Sequence, residues 1–365
     1  MIKTTDKSKW NDWRWQLQNR ITTLEELSKY IELTEEEIKF FDAVAEEYPF
    51  AVTPYYLSLI KDPKDKKDPI RLQIVPSPLE IDEKAQKNSH PNALNEETFI
   101  KGLTHRYEDR VLISVTSYCG VYCRHCMRKR IFKEGTHATP KELLDVYFDY
   151  IKSHKNVKDV LISGGDPLTL DNERLKYILD NLSFIEHLEV IRIGSRVPVT
   201  LPQRLYDEEL LDILSKYDKL WINTHFNHPN EITEDAKVAI RNLLKAGVPV
   251  NNQAVLLKGV NDDKETMLEL MRKLLSIKVK PQYLFHCDPI TGTVHFRTSI
   301  EKGLEIMDYM RGRLSGFGIP TYAIDLPGGK GKVPLVPSYF RKLEDGLYEF
   351  IAFDKTKVII EETLK

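Results

Sequence analysis

Three cysteines fall within eight residues, Cys119, Cys123 and Cys126, in the spacing C-x3-C-x2-C. They follow an apolar run over 111–116 that reads as a strand. Three thiolates on one loop can ligate three irons of a [4Fe–4S] cluster and leave the fourth iron open. An open iron can coordinate a small molecule and pass it one electron. The competing reading is a structural zinc loop. Closed zinc sites take four ligands, and the only other cysteine, Cys287, lies far downstream.

Two further segments carry chemistry. Gly164-Gly165-Asp166-Pro167 stands one strand–helix unit after the cysteines. Glycines lack the Cβ that would keep the backbone away from a ligand, although such a turn is by itself often an ordinary loop. The segment Asp325-Leu326-Pro327-Gly328-Gly329-Lys330-Gly331-Lys332 places lysines on a glycine-rich loop. A lysine so placed, with a lowered pKa and open approach, can form a Schiff base with pyridoxal 5′-phosphate (PLP). A phosphate-binding loop is excluded, because G-x4-G-K-[ST] would need Gly where Leu326 stands and Ser or Thr at Val333. Solvated surface lysines would give the same composition.

These residues need elements to position them. From about Arg110 the chain alternates strands with amphipathic helices: strands over 111–116, 160–162, 190–193, 220–223, 248–257, 282–285 and 321–324. Thr139-Pro140 should open the first helix, with Pro at its first position and Glu142 completing a capping box. Such alternation implies βαβ crossovers and a parallel sheet. Six or seven units predict an α/β fold, a partial (β/α)6-type barrel. In barrels chemistry sits at the C-terminal ends of the strands. There lie the cysteines, the Gly164 turn, Ser195-Arg196, His225, Asp288 and Asp325, with Asn252-Gln253 in the fifth strand. Residues 1–105 read as a helical region, with Thr34 opening a helix; 106–336 form the barrel with the lysine loop. Residues 337–365 form a short C-terminal extension containing a small hairpin over 348–361.

The cysteine motif resembles that of the radical S-adenosylmethionine (SAM) enzymes, and nearly the whole chain resembles the lysine 2,3-aminomutase family. The resemblance rests on residues 11–16, 53–59, 102–107, Asn223-Thr224-His225-Phe226-Asn227-His228-Pro229-Asn230-Glu231 and His295-Phe296-Arg297-Thr298. It implies that Cys119, Cys123 and Cys126 hold the cluster, with SAM bound by Gly164, Gly165, Asp166, His125 and His225. It also implies that Lys332 holds PLP as a Schiff base, with Arg106, Tyr107 and Arg110 packing on PLP and its phosphate. Arg128 would grip the substrate carboxylate. Asp288 and Asp325 match the pair that binds the distal amino group of lysine. Two carboxylates brought together repel, and one takes a proton unless a cation intervenes; an alkylammonium supplies that cation and three hydrogen-bond donors. The implied activity is an isomerase converting L-lysine to L-β-lysine. The alternative is an aminomutase of another amino acid, or of a protein-bound lysine in a translation factor. Lys330 and Met127 depart from the family pattern. No cysteine follows Cys287, so the zinc-binding extension of longer aminomutases has no counterpart in this sequence.

The 365 residues and 41% hydrophobic content allow a sizeable core, while a net charge of −2 gives no case for nucleic acid or an anionic membrane. No apolar stretch would span a bilayer. Three of four cysteines sit in one motif, which is no disulfide framework, and an exposed cluster favours a reducing cytoplasm. The expected partners are a small amino acid, an electron donor such as flavodoxin or ferredoxin, and further copies of the chain in a homo-oligomer.

Overall fold

The structure, a computed structural model, describes residues 6–96, 99–133 and 135–361. Its centre is a nine-stranded sheet whose spatial order is its sequence order. β1 (Leu103–Tyr107) lies antiparallel to β2 (Arg110–Thr116). β3 (Asp159–Gly164), β4 (Val190–Gly194), β5 (Leu220–Thr224), β6 (Val250–Leu256), β7 (Lys280–His286) and β8 (Thr321–Leu326) then follow in parallel. β9 (Gly331–Pro334) returns antiparallel to β8. The seven parallel strands β2–β8 are those expected from the alternation. β1 and β9 were not, and β1 straddles the 105/106 boundary, so the barrel sheet begins at Leu103. These two edges do not pair with each other, and the barrel stays partial. Among the described residues one hydrogen bond crosses the gap: the Lys332 backbone N–H donates to the Tyr107 hydroxyl at 2.9 Å.

The strand alternation sorts two faces. Val111, Ile113, Val160, Ile162, Ile191, Ile193, Leu220, Ile222 and Leu284 are buried in the main hydrophobic core. The helices, among them Lys141–Ser153, Asn172–Ser183, Glu234–Lys245 and Lys264–Ser276, contribute buried apolar stripes to that core. The alternate residues Leu112, Leu161, Arg192, Trp221, Gln253 and Phe285 line a cavity of about 660 Å³. A closed eight-stranded barrel would fill that space with side chains; this one keeps it open.

The N-terminal region is built of short helices and loops, as expected. Helix Glu35–Glu47 carries the anticipated capping box, Thr34 with Glu37. The Thr139 capping box does not form. Helix Lys141–Ser153 has Pro140 at its N-cap and no side-chain cap. The Thr139 hydroxyl instead donates to the Ser114 carbonyl at 2.8 Å and its N–H to Val115, which ties it to β2. The C-terminal extension is a separate three-stranded sheet, β10 (Phe340–Glu344), β11 (Leu347–Ile351) and β12 (Lys357–Glu361), of which the hairpin β11–β12 was expected.

Candidate active site

The cysteine loop leaves the end of β2, but the N-terminal region holds it. Arg20 donates to the Cys119 carbonyl at 2.8 Å, Tyr122 N–H to Ala51, and Arg124 N–H to Gln73. Arg124, 1% exposed, forks onto Glu80 with contacts of 2.5–3.1 Å. Lys129 reaches the same carboxylate at 2.5 Å and the Gly292 carbonyl at 2.9 Å. Burial alone would raise Glu80, yet Arg124 and Lys129 outweigh it and hold the carboxyl at about 2. The three thiols are half-buried and free. Burial pushes Cys119 well above the ordinary thiol range, with Asp166 and the other two thiols adding to it; burial and then Cys123 push Cys126 to about 11.

The Gly164 turn packs directly against the cysteine loop. Gly164 has φ +114, and a Cβ there would lie 2.3 Å from the Thr116 carbonyl oxygen. A Cβ on Gly165 would lie 2.4 Å from that of Tyr118. The backbone that approaches so closely is the start of the cysteine loop, and Gly165 and Asp166 N–H bond to those carbonyls at 2.6 and 2.8 Å. The Asp166 carboxylate accepts from Ser195 Oγ at 2.6 Å and Arg196 N–H at 2.8 Å. Burial raises its pKa to about 6. The motif thus fastens the ends of β2, β3 and β4 together.

Arg196 is the hub of the next layer. Its guanidinium contacts Cys123 Sγ at 2.7 Å, Glu231 at 2.7 Å, Gln73 at 2.6 Å and the Tyr56 hydroxyl at 3.0 Å. Asn227 Nδ2 donates to His125 Nε2 at 3.2 Å, leaving His125 Nδ1 buried without a partner among the described residues. Burial, then Arg196, keep His125 neutral, and they lower His225 to about 4. Asn252, flagged in the sequence, faces away: it brackets the Phe226 backbone at 2.7 and 3.1 Å.

On the opposite wall the β8–β9 hairpin places Lys332 opposite Asp325. Their charged groups lie 3.1 Å apart, and the ammonium sits 5.2 Å from the Phe285 ring centre. Lys332 lines the cavity, whereas Lys330 is exposed outside it. Arg106 bonds the Leu94 carbonyl and approaches Asp325 at 3.8 Å. Arg110 stacks on Tyr107 at 3.9 Å and pairs with Asp109 at 3.1 Å. Arg128 donates to Ser163 Oγ at 2.8 Å and pairs with Glu96. Asp288, just past β7, has no side-chain hydrogen bond among the described residues. Burial and then Asp325 raise its pKa to about 7.

Every residue that the resemblance assigns to the cluster, SAM, PLP or the substrate, from Arg106 to Lys332, therefore lines one cavity, while Asn252 and Lys330 do not. Glu96 and Arg192 line it too and were missed; neither belongs to a motif, and only the fold brings them in. The residues present fit the implied groups. Three thiols on one loop, with Cys119 and Cys126 raised by burial and by neighbouring thiols, suit a polynuclear cation, which would deprotonate them. The unpartnered His125 nitrogen near the cysteines and an accessible Lys332 among aromatic and cationic neighbours suit SAM and PLP.

Comparison with known proteins gives the same picture. The Radical SAM superfamily model matches residues 113–271, and the Lysine-2,3-aminomutase model matches residues 307–345. A putative L-lysine 2,3-aminomutase of Aquifex aeolicus is 62% identical over 97% of this chain and 95% of its own length. The L-lysine 2,3-aminomutase of Clostridium subterminale is 48% identical, covering 93% of this chain and 81% of that one. The glutamate 2,3-aminomutase of Clostridioides difficile is 46% identical, covering 90% and 78%.

Proposed function

This chain belongs to the lysine 2,3-aminomutase family of radical SAM enzymes, and on that premise we propose that its substrate is L-lysine and its product L-β-lysine. One observation carries the choice of lysine: Asp288 and Asp325 face the same cavity as Arg128, a carboxylate pair to match an ammonium and a guanidinium to match a carboxylate. Arg128 binds the α-carboxylate as a planar fork. The aspartates bind the distal ammonium, whose charge offsets the burial and the Asp325 repulsion that raise Asp288. The Lys332 ammonium stands beside Asp325 at 3.1 Å, so this carboxylate already accepts an alkylammonium. Bound here, the cluster with SAM supplies a hydrogen-abstracting carbon radical, and PLP conjugates the migrating nitrogen. The protein contributes position: the substrate is fixed at both ends, which holds its β-carbon still while hydrogen is removed and returned.

The test is anaerobic reconstitution with product analysis. L-Lysine should be turned over well and L-glutamate poorly, because the side-chain carboxylate of glutamate would meet two like charges. Asp288→Asn is a cleaner variant than Asp325→Asn, since Asp325 also contacts Lys332 and Arg106. It should lower kcat/KM for lysine some tens- to thousands-fold, corresponding to about 2–5 kcal/mol for a desolvated charge contact, with PLP content unchanged. Equal turnover of lysine and glutamate, or an unaffected Asp288→Asn enzyme, overturns the assignment.

A further inference from the structure

Arg128 is not free to rotate in the cavity. Glu96 engages one side of its guanidinium, with Nε at 3.2 Å from both carboxylate oxygens and NH2 at 2.8 Å from Oε1. Ser163 at the end of β3 accepts from NH1 at 2.8 Å. A guanidinium has five N–H donors. The pair to Glu96 uses the Nε–H and one NH2 hydrogen, and Ser163 takes one from NH1. Two donors remain, one on NH1 and one on NH2, on the edge that receives a carboxylate end-on.

Glu96 is itself fixed. Its N–H donates to Asn92 Oδ1 at 3.0 Å, and its carbonyl accepts from Thr104 of β1 at 2.7 Å. Arg130 adds a second cation at 3.3 Å. Burial would raise the carboxyl, but Arg128 and Arg130 outweigh it and keep it ionised. We infer that Glu96 is a positioning residue: it clamps Arg128 side-on so that the NH1–NH2 edge is presented to the substrate carboxylate. Glu96 acts through Arg128 and touches no reacting atom. The inference rests on the assignment of Arg128 to that carboxylate. It ties the orientation of Arg128 to the segment preceding β1. The opposite role is also definite: a carboxylate that merely occupies Arg128 would compete with substrate and be displaced by it.

These roles predict opposite signs. In reconstituted, SAM-free enzyme, calorimetric binding of L-lysine and of 1,5-diaminopentane, which lacks the carboxylate, should be compared. Glu96→Gln should weaken L-lysine about tenfold, the scale of one charge-assisted hydrogen bond, and leave the diamine within about twofold. In turnover, KM should rise with kcat nearly unchanged. Ser163→Ala should act in the same direction and more weakly, with iron and PLP contents retained in both. Unchanged or tighter lysine binding in Glu96→Gln overturns the inference, as does equal weakening of lysine and diamine. If the wild type prefers glutamate, the lysine reading fails. The same comparison, run with glutamate and 4-aminobutanoate, then still decides the role of Glu96.

Discussion

Asp325 and Lys332 are direct cross-strand neighbours on β8 and β9, and their charged groups meet at 3.1 Å. The hairpin between them therefore sets two positions at once, that of the lysine proposed to hold PLP and that of one carboxylate proposed to bind the substrate ammonium. Gly328 and Gly329 make the reversal at φ +71 and +75, where a side chain would be strained. Because directly opposed residues share a face, a one-residue slip would turn Lys332 away from the cavity.

Borohydride reduction of the PLP-loaded enzyme followed by peptide mapping should therefore find the pyridoxyl group on Lys332. Lys330→Ala should keep the label and Lys332→Ala should lose it. A label on Lys330 would mean that the hairpin register differs from the one described.

The pH dependence follows from Asp288. Burial and Asp325 place its pKa at about 7, so acidification removes its charge and with it half of the ammonium site. kcat/KM for lysine should fall about tenfold per pH unit below this pKa. In Asp288→Asn the limb should disappear; a limb that persists there belongs to another group.

The cluster should depend on three thiols and not on the fourth. Ala at Cys119, Cys123 or Cys126 should abolish iron binding and the EPR signal of the reduced cluster. Cys287 is 1% exposed, and burial raises its pKa to about 12; Cys287→Ala should retain full iron content. Wild-type iron content in Cys123→Ala would refute the ligand set.

The clamp on the cysteine loop is testable through Glu80. Glu80→Gln leaves Arg124 and Lys129 facing each other without their shared anion, and removing one member of a buried ion pair costs about 3–5 kcal/mol. Thermal unfolding should reveal the loss, and reconstituted iron should be released faster. The folded pKa of about 2 lies below the ordinary glutamate value of 4.5. The stabilisation is thus complete above about pH 4.5 and lost as pH falls toward 2, so the variant should differ least from wild type in strong acid.

The parallel strands were legible because every βα unit repeats the same local code: a short β-branched run, a polar strand end and an amphipathic helix. The candidate site followed, since strand ends converge in such a barrel. What stayed hidden was long-range. Gln73, Glu80 and Glu96 lie in a region of short helices and loops with no period to read, and their partners Arg196, Arg124 and Arg128 are 32 to 123 residues away. The Gly164 turn was legible as a turn, but its tight neighbour was the cysteine loop, which no local pattern reveals. Thr139 lost its capping role because β2 offered its hydroxyl a carbonyl.

The division between the two faces of the parallel strands has an evolutionary corollary. Cohesion comes from the outward Val, Ile and Leu residues against the helices, while the hollow side adds scattered polar links, such as Arg192 to Asp159 at 2.8 Å and Gln253 to Gln282 at 3.0 Å. Mutations at Asp288, Gln253 or Phe285 can therefore explore new ligands without endangering the scaffold. Relatives that have drifted to 46% identity bear both lysine and glutamate in their names, as expected of a framework in which selectivity can be rewritten from within.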